Sequence, residues 1–159
     1  MRRKTKQSGV TLVEIIIGIS IISMIVVAVG VSVTSFVDAR SALLDDVKTL
    51  YLVEEGHELI KALRSSDWST FDGLALDTIH YLDVSTSSLA FSTTPEVIDS
   101  DFYRSFIIRE VYRDGSDDFA TSTTPGATVD PDMKEVHVYV QGPNGTTSMP
   151  ALLANIYAQ

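Results

Sequence analysis

Residues Ile15 to Val37 run for 23 consecutive positions without a charge, as IIIGISIISMIVVAVGVSVTSFV. A bilayer core needs roughly 20 apolar residues in helical form, so this stretch is long enough to cross one. An ordinary secretory signal is the nearest competitor, but its apolar region covers only about 7–15 residues and closes on a small-residue cleavage site. Arg2, Arg3, Lys4 and Lys6 precede the run, and Asp38, Asp45 and Asp46 follow it. By the positive-inside rule the short N-terminal leader stays in the cytoplasm and the C-terminal body lies outside, with a single pass through the membrane.

Charge and cysteine content narrow what the body can do. The 159-residue chain has 12 basic and 21 acidic side chains, for a net charge of −9, and four of the basic ones lie in the leader. The remainder carries 8 basic and 21 acidic groups, a net charge of −13. Such a surface repels phosphate backbones, so no nucleic-acid partner is expected. With no cysteine, disulfides, thiolate metal sites and cysteine nucleophiles are excluded.

Glu14 departs from a plain anchor. It sits between Val10-Thr11-Leu12-Val13 and three isoleucines, where a carboxylate costs on the order of 3 kcal/mol at the membrane centre and less near an end. By itself it reads as an interface marker. The whole stretch Lys6-Gln7-Ser8-Gly9-Val10-Thr11-Leu12-Val13-Glu14, however, resembles the processing signal of type IV prepilins. In that family a basic leader ends in glycine, a prepilin peptidase cuts after it, the new first residue is N-methylated, and an acidic residue follows four positions later. The resemblance implies cleavage between Gly9 and Val10, N-methylation of Val10, and an assembly role for Glu14. It also implies that Glu14 neutralises the freed α-amino group of the same or a neighbouring subunit, removing two unpaired charges from an apolar environment. Val10 stands where the family most often has phenylalanine, and the helix-bending proline common in this region is absent. Gly18 and Gly30 have two readings: close helix packing or local unwinding in a filament, or simple tolerance of glycine in membrane helices.

Beyond Asp38 the residues Leu43, Val47, Leu50, Val53, Ile60 and Leu63 recur at near-helical spacing, with Gly56 and His57 read as interruptions. A helix from Val10 to Ser65 would have 56 residues and span about 84 Å. Short alternating segments follow. Strands are expected over Thr78–Val84, Ser88–Ser92, Phe102–Tyr112, Glu135–Gln141 and Ala151–Tyr157. A turn is expected at Gly142-Pro143-Asn144-Gly145 and a long exposed loop over Ser116–Asp132. Trp68 and Phe71 read as an aromatic lid on the core. The fold class is α+β and pilin-like: a long N-terminal helix, membrane-spanning in its first half, packed on a small antiparallel sheet of three to five strands. The expected division is a cleaved leader over 1–9, a transmembrane and assembly helix over 10–37, its continuation into the head over 38–66, and an antiparallel β head over 67–159.

No catalytic fingerprint occurs, and His57, His80 and His137 lack metal-ligand or triad spacing. The Asp114–Asp118 cluster lacks the spacing of a calcium loop and reads as a solvated turn. Asn144-Gly145-Thr146 matches a glycosylation acceptor but is explained by the turn. No cofactor is expected. The resemblance implies a non-enzymatic structural subunit, a minor pilin or pseudopilin of a type IV pilus or type II secretion pseudopilus. The segment from Glu54 to Trp68 is similar in texture to PilV-type minor pilins. The partners it implies are prepilin peptidase, other pilin or pseudopilin subunits, the inner-membrane assembly platform and the bilayer. The competing reading is a single-pass anchored module that binds a ligand outside the cell and does not polymerise.

Overall fold

One helix, α1, occupies Leu12–Ser66 without interruption, where the sequence pattern called for Val10 to Ser65. The structure, a computed structural model, describes residues 11–84 and 89–156. The chain divides into two units, residues 1–43 and 44–159. The described part of the first unit is the beginning of α1. It is crowded with β-branched Ile and Val, which are mediocre helix formers in water. In an apolar medium the order changes, because each backbone N–H and C=O has to be paired within the segment. Every large apolar side chain from Ile15 to Val37 is 49–75% exposed.

The second unit is an α+β domain in which the end of α1 packs on antiparallel strands. After α1 comes the short helix α2, Trp68–Asp72. Asp67 starts it as an N-cap, accepting from the backbone N–H of Ser69 and Thr70 at 3.0 and 3.2 Å. Seven strands follow among the described residues: β1 (Tyr81–Asp83), β2 (Ala90–Ser92), β3 (Glu96–Ile98), β4 (Phe102–Arg113), β5 (Phe119–Ala120), β6 (Thr128–Gly142) and β7 (Gly145–Ala154). The main sheet has the order β3-β4-β6-β7, with β5 paired to β4, while β1 and β2 form their own pair. An isolated bridge between His80 and Phe106 ties the approach to β1 to β4. The expected strand from Thr78 thus shrinks to Tyr81–Asp83. Ser88 and Tyr157, the outer ends of two expected strands, lie outside the described residues.

The core forms where α1 meets the sheet. Val53, Ile60, Phe71, Phe106, Ile108, Val136, Val138 and Val140 are essentially inaccessible to solvent. On β6 the three valines point to the core and His137 and Tyr139 to the opposite face, as alternation requires. On β4, Phe102, Arg104, Phe106 and Ile108 face inward, and then the parity changes so that Val111 is buried. The change coincides with a register shift between Glu110 and Tyr112: these pair with Lys134 and Val129, so β6 carries three extra residues there and the regular alternation is broken.

Three expectations need correction. The buried stripe of α1 is Thr49, Val53, Gly56, His57 and Ile60, whereas Leu43, Val47 and Leu50 are 61%, 41% and 44% exposed. Gly56 and His57 are therefore the centre of the contact instead of gaps in it. A Cβ on Gly56 would lie 2.9 Å from Val138 Cγ1 and 3.0 Å from Arg104 Cδ, so only glycine lets helix and sheet approach this closely. Secondly, the segment Ser116–Asp132 is not one loop. It contains β5 and the start of β6, where Thr128 and Val129 pair with Arg113 and Tyr112, and the pairing is reinforced by an Arg113 Nε to Asp130 ion pair at 2.6 Å. Thirdly, the last strand begins at Gly145, directly after the turn, instead of at Ala151. Gly142 and Gly145 are register partners, which makes Pro143 and Asn144 the two loop residues. Proline's fixed negative φ at the first loop position rules out the mirror-image turns that an Asn-Gly pair would form.

Candidate processing and assembly site

The start of α1 is built by two side chains acting on each other. Glu14 lies in the first helical turn, where the exposed backbone N–H groups favour a negative charge. The Thr11 backbone N–H donates to Glu14 Oε2 at 3.0 Å, and the Thr11 hydroxyl donates to the same oxygen at 3.2 Å. In return Thr11 Oγ1 accepts from the Glu14 N–H at 3.3 Å. This is a reciprocal capping box, with Thr11 at the cap and Glu14 three residues on. Sequence reading assigned Glu14 a charge role and missed this second one, although the T-x-x-E spacing carries it. Both residues are exposed. Glu14 Oε1 has no hydrogen bond among the described residues. Gly9 and Val10, the two residues expected to flank the cleavage point, lie outside the described residues.

Along the uncharged run, three of the five hydroxyl side chains are turned back onto their own helix. The hydroxyls of Ser20, Ser32 and Thr34 donate to the carbonyls of Ile16, Ala28 and Val31 at 2.8, 2.9 and 2.9 Å. Bonded in this way they place no unmet donor in hydrocarbon. The stretch is long and apolar enough to cross a membrane, and its exposed apolar surface far exceeds what a water-facing domain carries. A Cβ on Gly18 or Gly30 would meet nothing within 4 Å, so within one chain neither glycine is required for packing.

In the second unit the structure exposes a polar cluster that sequence reading did not find. Arg104 is 2% exposed on the core face of β4. Its Nε and Nη2 donate to the two oxygens of Glu96 on β3 at 2.8 and 2.6 Å, and Nη1 donates to Glu55 Oε2 and the Leu52 carbonyl of α1 at 2.9 and 3.2 Å. One guanidinium thus ties α1, β3 and β4. Burial disfavours its charge, but the Glu96 and Glu55 carboxylates outweigh that and hold its pKa above the usual arginine value. Alternation of Phe102, Phe106 and Ile108 marked the inward face, and an arginine in that row was the available signal.

Among the described residues no hydrogen bond joins the histidines to one another, although His137 is near enough to His57 to disfavour its charge. His57 is buried, its Nε2 2.9 Å from the Met149 carbonyl on β7. Burial pushes its pKa below the ordinary value. His80 lies beside Phe106 and His137 beside Tyr139. The Asp114–Asp118 segment is a turn in which Asp114 Oδ1 accepts from the N–H groups of Ser116 and Asp118 at 2.8 and 3.2 Å. Among the described residues no three His, Asp or Glu side chains gather as a metal-binding group. Trp68 and Phe71 lie on α2, and Phe71 is fully buried between Trp68 and Phe91.

The family described as the prokaryotic N-terminal methylation motif matches residues 4–30. That match takes in the leader from Lys4 onward, the expected cleavage region, the Thr11–Glu14 box and the first part of the uncharged run. It ends before Glu54–Trp68 and so does not confirm the expected likeness to PilV-type minor pilins. No curated protein and no solved structure matches the chain. The methylation motif over residues 4–30 and the long apolar helix that follows it support a type IV pilin-like protein, of the kind matured by prepilin cleavage and N-methylation and anchored through a transmembrane helix.

Proposed function

We propose that the protein is a structural subunit, a minor pilin or pseudopilin, that enters a type IV pilus or type II secretion pseudopilus through α1. The observation that carries this reading is Glu14, held at the first turn of an exposed apolar helix with one carboxylate oxygen uncommitted. Cleavage between Gly9 and Val10 would create a cationic amine next to Thr11. The uncommitted oxygen of Glu14 suits that amine, in the same chain or in the subunit already assembled, because the pairing removes two unpaired charges from lipid. In this reading residues 1–9 are the cleaved leader, 10–37 the transmembrane and assembly segment, 38–66 the continuation of the helix, and 67–159 the exposed head. The leader faces the cytoplasm before cleavage, as its basic residues favour. The partners are then prepilin peptidase, other pilin subunits and an inner-membrane assembly platform.

The test is the intact mass of the protein recovered from membranes of cells with an active prepilin peptidase. A chain beginning at methylated Val10 is the expected result, and Gly9→Val should retain the leader, because the peptidase has to accommodate the residue before the cut. A wild-type chain still carrying Met1 to Gly9 would overturn the reading in favour of a single-pass anchored module that does not polymerise.

A further inference from the structure

The face of the main sheet turned away from α1 carries a groove of about 650 Å³ that none of the pilin features uses. Its floor follows from strand register. Tyr103 on β4 is opposite Gln141 on β6, which is opposite Thr146 on β7. In the next row Ser105 is opposite Tyr139. One step from the His80–Phe106 bridge, Tyr81 flanks Ser105 on its other side. A small serine thus lies between two tyrosines, and the trough exists because Ser105 fills so little of it. Ile79, Pro95 and Ile107 complete the apolar walls.

We propose that this groove binds a short neutral oligosaccharide. Sugar rings present C–H groups on their faces and hydroxyls around their edges. A ligand for them needs flat aromatic surface and neutral hydrogen-bonding groups beside it. Tyr81, Tyr103 and Tyr139 supply the first, and Ser105, Gln141 and Thr146 the second. The side chains of these six residues make no hydrogen bond to protein among the described residues, so their capacity is available. Adjacent strands lie about 4.8 Å apart, so the row from Tyr103 to Thr146 measures about 10 Å, enough for two pyranose rings.

Charge argues for a neutral occupant. In a chain with a net charge of −9, the charged residue lining this groove is Arg104, and its guanidinium is bound to Glu96, Glu55 and Leu52 on the other side of the sheet. No cation is therefore presented to an acidic sugar or an acidic peptide, and no carboxylate to a basic one. This inference stands independently of whether the chain polymerises.

The experiment uses the full chain in lipid nanodiscs free of sugar-headed detergent. Cellotriose, chitotriose, maltotriose, trigalacturonate and a proline-rich peptide are each titrated by saturation-transfer NMR and calorimetry. Binding of at least one neutral trisaccharide is expected, with trigalacturonate at least 10-fold weaker. Tyr103→Ala, at a 47% exposed position, should weaken the neutral sugar at least 10-fold with an unchanged unfolding midpoint. Ser105→Trp, which fills the trough, should abolish binding. No binding of any neutral sugar, equal binding of trigalacturonate, preference for the peptide, or indifference to both variants would each overturn the proposal.

Discussion

Gly56 of α1 and Val138 of β6 meet so closely that the smallest side-chain carbon on the helix would come within 2.9 Å of the valine methyl. Non-bonded carbon atoms essentially never approach that closely, so any side chain at position 56 has to push the sheet or Arg104 aside. Gly56→Val should therefore destabilise the second unit by about 1–3 kcal/mol through overpacking. A lowered unfolding midpoint, read by calorimetry, is the check. An unchanged midpoint would mean that helix and sheet separate at little cost.

The buried guanidinium of Arg104 makes its two carboxylate partners unequal. Glu96 is 11% exposed and Glu55 is 53% exposed. Removing the arginine leaves Glu96 with an unpaired, largely buried charge, so Arg104→Ala should cost about 3–5 kcal/mol. Glu55→Gln, at a solvated position, should cost about 1 kcal/mol or less. Equal effects of the two substitutions in urea denaturation would contradict this division.

His57 gives the second unit a dependence on acid. Its burial depresses the pKa in the folded chain below the ordinary 6.5. The unfolded chain then binds the proton more readily, so stability is greatest above about pH 6.5 and falls as pH drops through that value toward the folded pKa. Around the imidazole are the Met149 carbonyl of β7, Lys61 and Glu58 of α1, and His137 of β6. His57→Gln can still donate to Met149 but does not titrate. Its unfolding midpoint should fall less than that of the wild type between about pH 7 and 5, and parallel curves would remove His57 as the cause.

Charge and capping at Glu14 can be separated. Gln serves as well as Glu in a capping box, but carries no charge. Glu14→Gln should keep the helix start and membrane insertion while losing incorporation into filaments. Glu14→Ala should lose both the box and incorporation. Pull-down of filaments with a tagged major subunit measures this, and normal incorporation of the Gln variant would refute pairing with the N-terminal amine.

The N-terminal third was open to reading from the residues because its constraints are local. Twenty-three uncharged positions, a basic leader and Glu14 keep their meaning wherever the rest of the chain lies. Strand β4 was likewise readable from the aromatic and β-branched residues of Phe102–Tyr112, and the second half of β6 from alternation over Glu135–Gln141. Only the tertiary structure decided which face of α1 the sheet covers. Leu43, Val47 and Leu50 continue the apolar period as well as Val53 does, yet they remain exposed. What the sheet requires at its closest approach is the absence of a side chain, and periodicity registers Gly56 only as a gap. Arg104 was hidden for the same reason: its worth depends on Glu96 and Glu55, 8 and 49 positions away, and no pattern within β4 names them. The groove across Ser105 and Tyr139 also exists only through register, which sets side by side residues that lie 34 positions apart in the chain.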